Sequence, residues 1–108
     1  MAGIALQHAG NIMDNLDALD FLSDHLMDAY QYVRCDRSQE AIKSLNRAAI
    51  SIAPFIRDSR ELCMVFLNVR VLAGDIWLHW PDSKGKVLRG IADEARKVCA
   101  WRDCRRAA

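Results

Sequence analysis

The chain of 108 residues has few residues that break helices or link domains. It contains two prolines and five glycines, and no tract rich in glycine, proline or serine divides it. A chain of this length without a linker or an internal repeat predicts one helical domain over residues 1–108. We expect residues 1–11, which include the helix-weakening Gly10, to be a flexible arm and residues 103–108 to be a frayed tail.

Motifs for catalysis and for metal or cofactor binding are also missing. The sequence has no phosphate-binding loop, no GxSxG and no HExxH. Its four cysteines include no CxxC pair, and its three histidines lie on different segments. We therefore predict that the chain is not an enzyme and has no catalytic, metal-binding or cofactor-binding residues. The opening MAGIALQHAG shows no signal-peptide pattern, so we expect reduced thiols and a cytoplasmic location.

Two further absences concern hydrophobic runs and charge. The longest apolar stretch is interrupted by Asn68, Arg70 and Asp75, which argues against a membrane-spanning helix. Residues 1–33 contain five aspartates and no lysine or arginine, whereas the remaining 75 residues carry a net charge of +6. The two ends can therefore pair internally, or each can contact a different partner.

Apolar residues recur at helical spacing in four segments of similar length, which are joined by short turns. This pattern predicts an all-α fold, an antiparallel four-helix bundle. The predicted inward residues are Ile12, Leu19, Leu22, Leu26, Ala29, Tyr30 and Val33 in the first helix, Ile42, Leu45, Ala49, Ile52 and Ile56 in the second, and Val87, Leu88, Ile91, Ala92, Ala95, Val98 and Cys99 in the fourth.

Polar residues that favour helix N-termini precede three of these segments. Proline inside a helix removes a hydrogen bond, so we expect a kink near Pro54 and a helix end near Arg57. The predicted caps are Asp36 (with Gln39) or Ser38 for the second helix, Asp58 (with Glu61) for the third, and Asp82 or Ser83 for the fourth.

The third segment, from Glu61 to Trp80, is apolar nearly all round. On a helix it carries two opposed stripes, and each advances by alternating threes and fours, the spacing of a coiled-coil seam. A bundle helix needs one buried face, so the second stripe needs a cover. A second copy of the chain is the simplest candidate, and a different protein or the chain's own N-terminal arm are the alternatives. The inward stripe is Leu62, Phe66, Val69, Ala73, Ile76 and Trp80, and the predicted self-association stripe is Met64, Leu67, Val71 and Leu78, with Gly74.

The same segment also allows a different secondary structure. Apolar and polar residues alternate at 67–71 and again at 76–80, on either side of Gly74-Asp75. That alternation is typical of a β-hairpin with a Gly-Asp turn. The alternative fold is therefore α+β, with a β-hairpin around Gly74-Asp75.

Five aspartates and no lysine or arginine occur in MDNLDALDFLSDHLMDAY, residues 13–30. They share the outward side of the first helix, and no DDxxD pair or calcium loop is present. The simplest interpretation is a solvated helix face. Phe21, however, is placed among the aspartates, and an exposed aromatic ringed by charge is typical of a protein contact. The predicted partner-binding residues are Asp14, Asp17, Phe21, Asp24 and Asp28.

The C-terminal segment is basic, with a net charge of +5 between Lys84 and Arg106. Phosphate contacts require such charge, but no interleaved aromatics and no helix-turn-helix pattern accompany it. In an up-down bundle the first and last helices are neighbours, so these residues can instead neutralise part of the acidic face. The alternative nucleic-acid contacts are Lys86, Arg89, Arg96 and Lys97.

Together these patterns favour a small module that binds another protein, as a regulator, adaptor, chaperone or inhibitor. We expect it to form a homodimer through its third helix. The alternative function is a nucleic-acid-associated regulator that uses the basic C-terminal helix.

Overall fold

The computed structural model describes the backbone of residues 2–107 and the side chains of residues 16–105. Residues 2–107 contain four helices and no strand. The helices are α1 (Ala2–Arg34), α2 (Ser38–Ile52), α3 (Arg60–His79) and α4 (Lys84–Ala107), and a 3-10 turn, Ala53–Phe55, follows α2.

The four helices form an antiparallel bundle, as the sequence predicts. α1 packs against α2 and α4, and α3 packs against the same two helices. Apart from Ile12, which lies outside the described side chains, every predicted inward residue of α1, α2 and α4 is buried or half-buried. The largest side chains that are fully buried are Leu19, Leu22, Leu26, Leu45, Ile52, Leu62, Ile76 and Ile91.

α3 is one continuous helix through Gly74 and Asp75, so the alternative with a β-hairpin at this point is wrong. The helical spacing of its apolar residues extends over all 20 residues, whereas each alternating run covers only five. A short apolar run fits the period of a helix or of a strand, so the longer helical pattern determines the secondary structure. α3 ends where Trp80 turns extended before Pro81, as residues before proline commonly do.

The predicted caps of α2 are wrong. α2 begins at Ser38, its N-cap residue is Arg37, and no side chain caps it. Asp36 has a φ of 60°, a left-handed conformation that aspartate tolerates better than most residues. Its carboxylate instead accepts a hydrogen bond from Lys84 Nζ at 2.9 Å, so the proposed pairing with Gln39 gives way to a contact between the α1–α2 turn and α4.

The α2–α3 connection also differs from the prediction. The α-helix ends at Ile52, before the expected stop near Arg57, because Pro54 cannot donate a backbone hydrogen bond and the chain tightens into the 3-10 turn. The cap of α3 is Ser59, one residue after the predicted Asp58. Ser59 Oγ accepts a hydrogen bond from the Leu62 amide at 3.2 Å.

α4 begins at Lys84, within two residues of the predicted start at Asp82 or Ser83. Ser83 is buried, and its hydroxyl has no hydrogen-bond partner, so it does not act as a side-chain cap. The local turn is instead closed by backbone bonds, in which the Ser83 amide donates to His79 O and the Val87 amide donates to Ser83 O.

Candidate interaction surfaces

The four residues predicted to form the self-association stripe lie on the outward face of α3. The exposed fraction is 50% for Met64, 50% for Leu67, 59% for Val71 and 70% for Leu78. The inward stripe is buried or half-buried, so α3 has two apolar faces and its own bundle covers only one. We name the exposed set (Met64, Leu67, Val71 and Leu78, with Gly74 between Val71 and Leu78) the α3 seam.

Polar contacts on both flanks of α3 fix which face points outward. On the α4 side, Asn68 Nδ2 donates to Glu94 Oε1 at 3.2 Å. On the α2 side, Arg70 Nη1 donates to Asn46 Oδ1 at 3.3 Å. Because Asn68 and Arg70 bracket the seam, a rotation of α3 that buried the seam would break both contacts.

A third flanking contact lies farther along α3. Asp75 is close to Lys86, with 3.4 Å between the carboxylate and the ammonium nitrogen. The Asp75 side chain is only 16% exposed, whereas the Lys86 side chain is 69% exposed, so the carboxylate is shielded and the ammonium group stays in water. The polar residues that interrupt the apolar run in the sequence thus hold α3 to its neighbours.

Two exposed apolar residues beside the seam were not predicted from the sequence to be contact residues. Trp77 on α3 is 71% exposed and Ile50 on α2 is 70% exposed. Trp77 falls between the two stripes of α3, about 100° from the centre of the seam. Ile50 lies one turn beyond Asn46, on the same side of α2. A helical projection could have found both, because neither belongs to the predicted inward face of its helix.

α3 is also the one helix in the described chain that is long and apolar enough to cross a membrane, by length and composition. The core helix of a bundle meets the same criterion. In this structure 33% of the tested window is buried, and the buried residues face α2 and α4.

The predicted acidic contact surface is exposed wherever the structure describes it. Asp17, Asp24 and Asp28 are exposed, and Phe21 among them is 59% exposed. The Asp14 side chain lies outside the described residues. We name the set Asp17, Phe21, Asp24 and Asp28 the α1 acidic face.

Two details refine this surface. The Phe21 ring stacks on His25, with 6.5 Å between centroids and 18° between planes, so the aromatic has a defined orientation. Asp20 differs from the other aspartates because it is half-buried and lies 3.7 Å from the Arg102 guanidinium. α4 thus neutralises the edge of the acidic side and leaves its outer face charged.

The four candidate nucleic-acid contacts are largely paired within the chain. Lys86 pairs with Asp75, Lys97 lies 2.8 Å from Glu94, and Arg96 is hydrogen-bonded to Asp93. Arg89 is exposed, and among the described side chains it has no acidic partner. Three of the four cations therefore already face carboxylates, which lowers the charge that these four residues offer to a phosphate backbone.

No group of three or more His, Cys, Asp and Glu side chains in the described part could hold a metal ion, and its four cysteines are free thiols. A shallow cleft of about 280 Å³ lies between the start of α3 and the end of α4. Its walls include Met64, Lys97 and Trp101. Met64 belongs to both features, so the cleft extends the α3 seam towards α4.

Comparison with protein-family models, with curated proteins and with solved structures finds no match.

Proposed function

We propose that this chain is a small, non-enzymatic protein–protein interaction module of the regulator, adaptor, chaperone or inhibitor type. It associates with a second copy through the α3 seam and presents the α1 acidic face to a basic protein partner. The observation that carries the proposal is the row of four apolar side chains, each at least half exposed, along one face of a rigid helix.

A second copy suits the α3 seam because the seam residues repeat at coiled-coil spacing, which lets two copies of one helix face pack about a two-fold axis. Each seam side chain is already partly buried, so covering it adds roughly 1–2 kcal/mol before the costs of association. This modest gain supports a reversible dimer. Trp77 and Ile50 extend the apolar area on the α2 side.

The α1 acidic face is proposed as a separate docking surface. α1 packs against α2 and α4 and lies across the bundle from α3, so a dimer formed through α3 leaves this face open. Its chemistry fits a basic segment with an apolar anchor, since three carboxylates surround one oriented aromatic ring.

Size-exclusion chromatography with light scattering tests the self-association. We expect the wild type to show a mass that rises with concentration towards twice that of one chain. Leu67→Asp and Val71→Asp should each give a folded monomer, because a carboxylate in an apolar contact loses its hydration without gaining a partner.

Met27→Asp is the matched control. Met27 is 49% exposed, nearly the same as Leu67, but it lies on α1. This variant should dimerise like the wild type. A wild type that stays monomeric at the highest attainable concentration, or a Met27→Asp variant as monomeric as Leu67→Asp, would contradict the proposal.

A further inference from the structure

Gly74 lies within the α3 seam, between Val71 and Leu78, and nothing in its own subunit requires a glycine there. A Cβ built on Gly74 would meet no atom within 4 Å, and the backbone conformation is helical. By contrast, a Cβ on Gly90 of α4 would lie 2.5 Å from Leu72 Cδ2. Gly90 thus makes room for a neighbour within the bundle, whereas Gly74 leaves an open notch on the outside.

The seam has large side chains throughout its N-terminal half and an empty position at Gly74 in its C-terminal half. Met64 and Leu67 fill the N-terminal half, and Gly74 opens the C-terminal half. Two copies in parallel would place notch against notch and leave a void. Two antiparallel copies centred on Val71 place Leu67 of each over Gly74 of the other, so a large side chain faces a small one, as close packing requires.

Charge favours the same orientation. Arg60 is exposed and continues the seam spacing at its N-terminal end, and Asp82 is exposed just beyond the C-terminal end. Neither has an ion-pair partner among the described side chains. A parallel pair would bring the two copies of Arg60 together. An antiparallel pair separates them by about 33 Å along the helix axis and brings each to the level of Asp82 of the other copy.

We propose that the second copy packs antiparallel across the α3 seam, with Leu67 of each copy packed against Gly74 of the other. This inference rests on the self-association proposed above and specifies its geometry. It makes Gly74 a contact residue although it has no side chain.

Cross-linking distinguishes the orientations, in a background whose four native cysteines are replaced by alanine or serine. Three samples are treated with a short bis-maleimide that reaches roughly 10 Å. They are the Met64→Cys protein alone, the Leu78→Cys protein alone and a mixture of the two. In an antiparallel pair, Met64 of one copy lies near Leu78 of the other. In a parallel pair these two residues are about 21 Å apart, given 1.5 Å of rise per residue.

We expect a cross-linked dimer in the mixture and little in either protein alone. Val71→Cys lies near the centre of the seam and should cross-link with itself in either orientation. Self-linking of Met64→Cys and of Leu78→Cys, without the mixed product, would overturn the antiparallel geometry but leave the self-association intact. No product from Val71→Cys, together with a monomeric wild type, would overturn both.

Filling the notch provides an independent test. Gly74→Leu should weaken the dimer roughly ten-fold or more, because the added side chain holds the two backbones apart. Gly85→Leu is the matched control, since Gly85 is an exposed helical glycine on α4 whose Cβ would make only an ordinary contact with Arg89 at 3.6 Å. Equal dimer affinity for Gly74→Leu and Gly85→Leu would contradict a close approach at Gly74.

Discussion

Gly90 on α4 lies against Leu72 on α3 so closely that a Cβ on the glycine would sit 2.5 Å from Leu72 Cδ2. This contact brings α3 and α4 together near the middle of the bundle. It also shows why two glycines in helix interiors, Gly74 and Gly90, should respond differently to the same substitution.

Alanine at these two positions should change stability in opposite directions. Gly90→Ala forces the Leu72 side chain to shift, and the overpacking outweighs the gain in helix propensity, for a net loss of about 1 kcal/mol. Gly74→Ala adds a methyl group in open space and should gain about 0.5–1 kcal/mol. Urea unfolding in the Leu67→Asp background removes the contribution of dimerisation. A gain for Gly90→Ala would contradict the close α3–α4 contact.

The start of α3 gives a second test of local structure. Ser59→Ala removes the oxygen that accepts the Leu62 amide hydrogen and should cost about 1 kcal/mol in the free energy of unfolding. Asp58→Ala, the neighbouring substitution, should change it by less than about 0.5 kcal/mol. Urea unfolding of both variants measures the difference. A larger loss of stability for Asp58→Ala than for Ser59→Ala would indicate that Asp58, the residue expected from the sequence, caps α3.

The sequence predicts the helices and the outward position of the seam side chains, because both depend on periodicity. α3 carries two stripes over 20 residues, and a stripe that its own domain does not cover must be exposed on the outside. The caps were less predictable, because Asp36, Asp58 and Ser59 are all good capping residues and the choice among them depends on the path of the turn. In the structure Asp36 contacts Lys84, which lies 48 residues away in sequence.

Other features of the surfaces depend on tertiary contacts that local patterns do not contain. The pairing of Asp20 with Arg102 requires α1 and α4 at a particular register. The difference between Gly74 and Gly90 likewise appears only when α4 is placed beside Leu72. The sequence gives no direct signal of either relationship.

The α1 acidic face should bind a lysine-rich peptide that carries one aromatic or leucine anchor. Phe21→Ala should weaken this binding roughly ten-fold, since it removes the apolar contact inside the ring of carboxylates. Ile50→Ala is the control, because Ile50 is 70% exposed but lies on α2. Fluorescence anisotropy with the labelled peptide provides the measurement. If Phe21→Ala binds the peptide with the affinity of the wild type, Phe21 does not contact the peptide as proposed.

Double-stranded DNA should not bind, even at about 50 mM salt, where phosphate contacts are strong. The reason is that Lys86, Arg96 and Lys97 already face acidic side chains. An electrophoretic mobility shift assay tests this expectation. Binding that weakens with added salt and is lost in an Arg89→Gln, Arg96→Gln double variant would instead favour the nucleic-acid-associated function.

Sedimentation equilibrium of the wild-type chain over a wide concentration range tests whether the chain self-associates. One chain has a mass of 12.2 kDa. We expect a reversible monomer–dimer equilibrium that approaches twice this mass. Leu67→Asp should abolish this equilibrium without loss of helical circular dichroism. A wild type that keeps the mass of a single chain throughout would contradict self-association.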